Sequence, residues 1–140
     1  MQTFIPYGDN FTANAKVLDR QRLGKQRVEG LQILNTLTGV STGWRNHPAV
    51  KAWVGHEELL AHYVFAMCDE WTGRGYKDTC RDKVRSLFTT IQDLADLPRF
   101  GWLVDPEVAL SHRANLVRKL PEHYGVLWAD IDPATPYKWA

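Results

Sequence analysis

The sequence predicts an all-α fold, a compact single domain of residues 1–140 with about four helices and an irregular aromatic C-terminal tail. Apolar residues recur every three or four positions through most of the chain, and no stretch alternates like a half-buried strand. Gly and Pro residues separate the periodic segments. The length of 140 residues and the 44% of hydrophobic residues are typical of one globular domain.

The first predicted helix runs from about Thr12, a plausible N-cap, to Thr38, which precedes Gly39. Gly24 and Gly30 lie inside it, and each weakens a helix by about 1 kcal/mol relative to Ala. We therefore expect these two glycines to permit the close approach of another element.

The second predicted helix begins at Pro48, because proline favours the first helical position, and ends at Gly73. Its apolar stripe is long and regular, which indicates a core helix. A third helix is expected to begin at Asp78 or Thr79 and to stop at Pro98.

The fourth predicted helix has Asp105 as its N-cap and Pro106 in its first turn, and it runs to about Leu120. Residues 122–140 are aromatic without a regular period, so we expect them to form an irregular tail that wraps the bundle.

The formal net charge of +1 hides two basic segments. Residues 12–27 contain five basic residues and one acidic residue, and residues 74–85 contain five basic and two acidic residues. A protein that held nucleic acid by overall charge alone would be more basic, so an anion site here must come from local clustering. The alternative is that these segments are only solvated helix faces.

Other features narrow the class of protein. No apolar run approaches 18 residues and no secretory pattern opens the chain, so we expect a cytoplasmic protein with no membrane partner. Cys68 and Cys80 have no CxxC spacing and are expected to be reduced packing residues. His56 and His62 do not share a helical face, so no metal is expected. No Walker loop or dinucleotide fingerprint occurs in the sequence, so no other cofactor is expected.

Three polar blocks are candidates for a functional site. The first lies in the first helix and contains Arg20, Arg22, Lys25, Gln26, Arg27 and Glu29. The second lies in the fourth helix and contains His112, Arg113, Asn115 and Lys119; the third, Asn46 and His47, precedes the second helix. Such residues near helix starts suit phosphate contacts. They could equally be an exposed helix face and, at His47, a local cap.

Arg27 and Glu57 are anomalies, because each interrupts an apolar stripe. A buried charge without a partner is very costly. Either the two residues form a buried pair that fixes the packing of the first two helices, or they line a polar pocket that holds a general acid or base and binds an anion. We expect the two side chains to lie close together and to be partly buried.

Three features together resemble a known family. They are LGKQRVE at 23–29, the stretch from HPAV at 47–50 through EELL and EW to RGYKDT at 74–79, and SHRANLVRK at 111–119 followed by HYG at 123–125 and an aromatic C-terminus. Their order and spacing are similar to those of the small all-helical pyrimidine-dimer DNA glycosylases of the phage endonuclease V type, and the chain looks closer to a phage and actinobacterial branch of them. The resemblance spans most of the chain.

The resemblance implies a DNA repair enzyme that extrudes a nucleotide from duplex DNA. In that family the N-terminal α-amine attacks the sugar C1′ and forms a Schiff base, and β-elimination then cuts the strand. An α-amine has an ordinary pKa near 8, so a useful fraction is a neutral nucleophile at pH 7. A Glu in the first long helix stabilises the cationic sugar, and flanking Arg residues hold phosphates.

Carried over to this chain, the resemblance implies Glu29 as the catalytic carboxylate. Gln2 is too large to favour removal of the initiator methionine, so the nucleophile would be the amine of Met1 unless Lys25 replaces it. The family's Glu directly follows an Arg, whereas here Val28 separates Arg27 from Glu29.

The sequence therefore predicts a monomeric DNA glycosylase and AP lyase that binds double-stranded DNA with a damaged or modified pyrimidine. Two alternatives remain. One is a DNA-binding module without catalysis, and the other is an enzyme that acts on a free nucleotide or modified base.

Overall fold

The structure, a computed structural model, describes residues 1–138 and has no strand among them. The all-α prediction is confirmed, but seven α-helices take the place of about four. They are α1 (Phe11–Val17), α2 (Arg20–Leu37), α3 (Pro48–Ala52), α4 (Glu57–Gly73), α5 (Cys80–Ser86), α6 (Pro106–Lys119) and α7 (Pro121–Leu127). Trp139 and Ala140 of the predicted tail lie outside the described residues. None of the seven helices is long and apolar enough to cross a bilayer.

The first predicted helix is in fact two helices, α1 and α2, because Asp19 caps the second. Asp19 has an extended backbone and its side chain accepts a hydrogen bond from the backbone N–H of Arg22. Leu18, the residue between α1 and this cap, is buried. The cap satisfies a donor at the start of α2 that a continuous helix would have paired with a carbonyl.

The second predicted helix is also divided, into α3 and α4. Gly55 adopts φ +82°, a left-handed conformation that ends a helix and that glycine accepts without a Cβ clash. The carboxylate of Glu57 then accepts a hydrogen bond from the N–H of Gly55 at 3.2 Å, at the first residue of α4.

The predictions for the third helix and for the C-terminal tail need smaller corrections. α5 ends at Ser86, so the chain from there to Pro98 is irregular apart from a 3₁₀ turn at Leu94–Asp96. The predicted irregular tail instead begins with α7, which opens on Pro121. The fourth helix, α6, begins at Pro106 with Asp105 as its cap, as predicted.

Contacts between Cα atoms divide the chain into two compact units. The first contains residues 1–3 and 15–98. In it α2 packs against α4, and α3 and α5 pack beside them. Its core contains fully buried side chains from each of these helices, among them Leu23, Ile33, Val50, Val64 and Val84.

The second unit contains residues 4–14 and the described residues from 99 onward. There α6 packs against α7 and against a 3₁₀ turn at Gly101–Val104. Tyr124 stacks on Trp128, with ring centroids 5.6 Å apart, and both side chains are buried. That the whole chain behaves as one domain stays a prediction.

The two glycines inside α2 have the packing role that the sequence predicted. A Cβ at Gly24 would lie 3.1 Å from the ring of Trp71, and a Cβ at Gly30 would overlap a methyl group of Val64. Both neighbours belong to α4. The missing side chains therefore let α2 and α4 approach closely.

Gly30→Ala should lower the free energy of unfolding by about 1–3 kcal/mol, because its methyl group would overpack the α2–α4 contact. Urea denaturation measures this. Gly73→Ala is the matched control, since its Cβ would meet nothing within 4 Å. The cost of Gly30→Ala should shrink in a Val64→Ala background. Equal stability of Gly30→Ala and the unaltered protein would contradict the assigned clash.

Candidate active site

The first three residues are held against the helices of the first unit. The backbone N–H of Gln2 donates to the Glu29 carboxylate at 3.2 Å, and its carbonyl accepts from the Gln26 side chain at 3.0 Å. The hydroxyl of Thr3 accepts from the indole N–H of Trp53 at 3.1 Å. These bonds hold Gln2 and Thr3 in place, so Met1 lies one peptide unit from a residue that is bonded to Glu29.

Gln26 joins this segment to two helices. Its side-chain Nε2 also donates to Glu29 Oε2 at 3.2 Å, and its Oε1 accepts from the Tyr63 hydroxyl at 2.6 Å. Only 1% of Gln26 is exposed. The structure therefore gives this predicted DNA contact an internal role, the positioning of the N-terminal segment and of the catalytic candidate Glu29.

Glu29 also borders an open cleft on the solvent side of α2, which we call the Glu29 cleft. It has a volume of about 450 Å³, within the usual range of ligand sites. Its lining residues are Arg20, Gln21, Gly24, Lys25, Val28, Glu29, Gln32 and Trp71. Lys25 and Glu29 are four residues apart on one helix, so the ammonium and the carboxylate share a face.

Arg27 does not pair with Glu57, and that prediction is wrong. Its guanidinium forms an ion pair with Asp78, and the side chains are 12% and 3% exposed. The same guanidinium lies over the ring of Trp71, 4.4 Å from its centroid. Glu57 instead accepts from the N–H of Gly55 at the start of α4. The buried cation thus has a carboxylate partner from the loop after α4, as its burial requires.

A comparison with models of protein families shows to which family the chain that carries this site belongs. A family model described as pyrimidine dimer DNA glycosylase matches residues 1–84, which are 84 of the 140 residues. The chain belongs to the pyrimidine dimer DNA glycosylase family. The matched part holds the N-terminal segment, Glu29 and the Arg27–Asp78 pair. Searches of curated proteins and of solved structures gave no match.

In this member of the glycosylase family, the Arg27–Asp78 ion pair lies in surroundings that shift the pKa values of Asp78 and of its neighbour Cys68. Burial would raise the pKa of the Asp78 carboxyl, but hydrogen bonds from the Arg81 N–H, the Arg27 guanidinium and the Cys80 N–H outweigh it and lower the pKa below its usual value. Burial raises the pKa of the neighbouring Cys68 thiol. Cys68 therefore stays protonated at neutral pH and is a packing residue, as predicted.

The remaining cations of the first block have different surroundings. Arg20 and Lys25 are exposed and line the Glu29 cleft. Arg22 is half-buried and forms an ion pair with Asp19 at 3.2 Å. Arg20 and Lys25 are consequently the cations of α2 that stand open to an anionic ligand at the cleft.

The second predicted block lies in the second unit, and part of it is internal. His112 is fully buried, and its Nδ1 accepts the backbone N–H of Ile5 at 3.0 Å. Arg113 donates to the carbonyl of Pro6 at 2.7 Å. Lys119 is exposed at the end of α6, and Asn115 is half-buried. His112 has no surface to offer to DNA, so its role in the fold is structural.

The third predicted block lies in the exposed loop before α3. Nδ1 of His47 accepts from the backbone N–H of Ala49 at 3.0 Å, which confirms the alternative that His47 is a helix cap. Asn46 is exposed beside it.

Two contributors to the site were missed by the sequence analysis. The Tyr63 hydroxyl donates a hydrogen bond to Gln26, and the Trp71 side chain lines the Glu29 cleft. Both lie in the second predicted helix, Trp71 in its apolar stripe and Tyr63 next to it, where aromatic residues are typical of core. The signal that could have marked Trp71 is Gly24, because a glycine inside a helix often faces a bulky neighbour. Within residues 1–138 no group of His, Cys, Asp or Glu is arranged to hold a metal.

Asp78→Asn should lower the free energy of unfolding at pH 7 by about 3 kcal/mol, because it leaves the buried Arg27 charge without its counter-ion. The lowered pKa means that Asp78 contributes stability that is present above its ordinary value of 3.8 and lost as the pH falls through the folded-state value. Chemical denaturation between pH 7 and 2 measures both effects. Asp82→Asn, an exposed carboxylate four residues later on α5, is the control. An unchanged acid profile in Asp78→Asn would contradict this account.

His112 should make the protein less stable in mild acid. Burial lowers its pKa from 6.5 to about 3, so between these values the unfolded chain binds a proton that the folded chain does not. Stability therefore falls as the pH drops from about 6.5 to about 3. In His112→Gln this part of the pH dependence should disappear, whereas His123→Gln, exposed on α7, should keep it. Denaturation curves across this range decide the matter.

Proposed function

We propose that the protein is a DNA glycosylase and AP lyase that acts on a damaged or modified pyrimidine in duplex DNA through a Schiff base. One observation carries the proposal. The hydrogen bond from Gln2 to the Glu29 carboxylate brings the N-terminal residue beside a carboxylate that borders an open cleft. A terminal amine one residue from a carboxylate that is open to a cleft supplies the two groups that this chemistry needs.

In the proposed first step the neutral amine of Met1 attacks C1′ of an extruded nucleotide. The C1′–N bond to the base breaks, and the base leaves with the bonding electron pair and takes up a proton. The attacking nitrogen then loses a proton, the C1′–O4′ bond breaks as the nitrogen lone pair forms the C=N bond, and O4′ takes up a proton, which leaves an iminium ion between nitrogen and C1′. Extrusion is required because C1′ of a stacked nucleotide is not open to an attacking side chain.

In the proposed second step a proton leaves C2′ of the iminium intermediate, and the C3′–O bond breaks with the phosphate as leaving group. Glu29 stabilises the positive charge that develops on the sugar and nitrogen, and it moves the protons between them. Gln26 holds both the Gln2 carbonyl and the Glu29 carboxylate, so it keeps the residue next to the attacking amine close to the carboxylate.

Lys25 is the second candidate for the nucleophile. Its ammonium lines the same cleft as Glu29, one helical turn away. Arg20 lines the cleft as well. Whichever amine attacks, the other exposed cations of the cleft are placed to bind phosphates beside the extruded nucleotide.

Sodium borohydride should trap a covalent adduct with duplex DNA that contains a pyrimidine dimer or an abasic site, because hydride reduces an imine to a stable amine. Peptide mapping should place the adduct on residue 1, and an adduct on Lys25 would move the nucleophile there. Glu29→Gln should slow base release by a factor of about 10² or more. Glu57→Gln, a carboxylate outside the cleft, should leave the rate unchanged.

Two results would overturn the proposal in different directions. Salt-sensitive binding of duplex DNA with no adduct on any damaged substrate would indicate a binding module. Conversion of a free nucleotide or free base, without duplex binding, would indicate the enzyme that acts on a free nucleotide or modified base.

A further inference from the structure

Trp44 is an exposed aromatic residue in a strained conformation. It lies in the loop of residues 38–47 between α2 and α3, which we call the Trp44 loop, and 58% of its surface is exposed. Its φ of +67° is the one positive value at a non-glycine residue within the described chain. A Trp in the left-handed region costs free energy that Gly or Asn would largely avoid, so turn stability does not explain this residue.

Hydrogen bonds hold the Trp44 loop against the end of α2. The Thr36 hydroxyl donates to the carbonyl of Gly43 at 2.7 Å, and the N–H of Ser41 donates to the carbonyl of Asn35 at 3.0 Å. The carbonyl of Trp44 accepts from the His47 N–H at 2.9 Å. Among the described residues, the one ring contact of the indole is a T-shaped contact with the His47 ring, at 5.9 Å between centroids. The backbone is thus fixed while most of the indole faces solvent.

This anchor puts Trp44 on the same side of α2 as the proposed catalytic carboxylate. Thr36 follows Glu29 by seven residues, which is about two helical turns, so the two residues share a face about 10.5 Å apart along the axis. One DNA strand rises about 3.4 Å per nucleotide. A duplex that runs along α2 with its target sugar at Glu29 therefore passes the Trp44 loop within about three base steps.

The charge around the Trp44 loop suits the phosphate backbone. From Gly30 to His56 the sequence has no Asp or Glu, but it has Arg45 and Lys51, both exposed. Arg45 follows Trp44 directly, and its Nε donates to the carbonyl of Thr42 at 3.4 Å. An exposed aromatic ring with an adjacent arginine, in a segment that carries no carboxylate, is an arrangement that stacks on bases and binds phosphate.

We propose that Trp44 inserts into the base stack of duplex DNA beside the target nucleotide, with Arg45 on the neighbouring phosphate. Insertion of an apolar wedge unstacks a base step and kinks the duplex, which lowers the cost of extruding the target. This inference rests on the proposed function for the position of the target sugar. It assigns recognition of the duplex to a loop separate from the Glu29 cleft.

The test uses a duplex that contains a tetrahydrofuran abasic-site analogue, with 2-aminopurine at each of the three flanking positions in turn. The analogue cannot form a Schiff base, so binding and unstacking are measured without chemistry. Binding is followed by anisotropy, and unstacking by the rise of 2-aminopurine fluorescence. The unaltered protein should raise this fluorescence at one or more of the three positions.

Trp44→Gly should abolish the fluorescence rise and weaken binding about tenfold, as expected for the loss of one stacked aromatic ring. Its melting temperature should be equal or higher, because glycine adopts φ +67° without strain. Trp44→Phe should keep most of the signal. Val40→Ala, 66% exposed in the same loop, is the matched control and should behave like the unaltered protein. Arg45→Ala should keep the unstacking and reduce the salt slope of binding by about one.

The failures are distinguishable. An unaltered fluorescence rise in Trp44→Gly, or no rise with the unaltered protein bound, overturns the role of Trp44 while borohydride trapping on an abasic site can still succeed. Unstacking that depends on Trp44 without any borohydride adduct leaves the wedge in place and overturns the catalytic proposal. No duplex binding at all overturns both.

Discussion

The site of this protein depends on one buried amide. Gln26 uses its oxygen for the Tyr63 hydroxyl and its Nε2 for both the Gln2 carbonyl and the Glu29 carboxylate. A buried amide that lost these partners would carry the full cost of desolvation, so the arrangement is stable only when all three groups are in place. The N-terminal segment is therefore fixed by a network inside the first unit, although a chain terminus is commonly poorly ordered.

The packing of α2 on α4 makes that network possible. Tyr63 is next to Val64 on α4, and Val64 fills the space that Gly30 leaves on α2. A side chain at Gly30 would push the helices apart and draw the Tyr63 hydroxyl away from Gln26. Core packing and site geometry are thus coupled through a single helix pair, which explains why α2 tolerates a glycine that weakens its intrinsic helix propensity.

Local signals in the sequence were sufficient for the helical class, for the cap of α6 and for the close approach at Gly24 and Gly30. The breaks at Asp19 and Gly55 were not predicted, because the apolar period continues across each of them and a short-range cap outweighed it. The partner of Arg27 could not be predicted from the sequence either. Asp78 is 51 residues away in the chain, and helical periodicity carries no information on which loop a buried cation will meet.

The net charge of +1 is small for a member of a DNA-repair family. It is easier to understand when the basic residues that form ion pairs within the protein are distinguished from those that are exposed. Three arginines of the two basic segments form ion pairs within the first unit, namely Arg22 with Asp19, Arg27 with Asp78 and Arg74 with Glu70. Part of the basic charge therefore supports folding. The exposed cations at the Glu29 cleft and the Trp44 loop are few. With few phosphate contacts, electrostatics supplies only part of the affinity. Under the proposed function, stacking and base extrusion must then contribute more to binding. A damaged base is cheaper to unstack than an intact one, so the proposal implies a preference for damaged DNA that does not depend on a high positive charge.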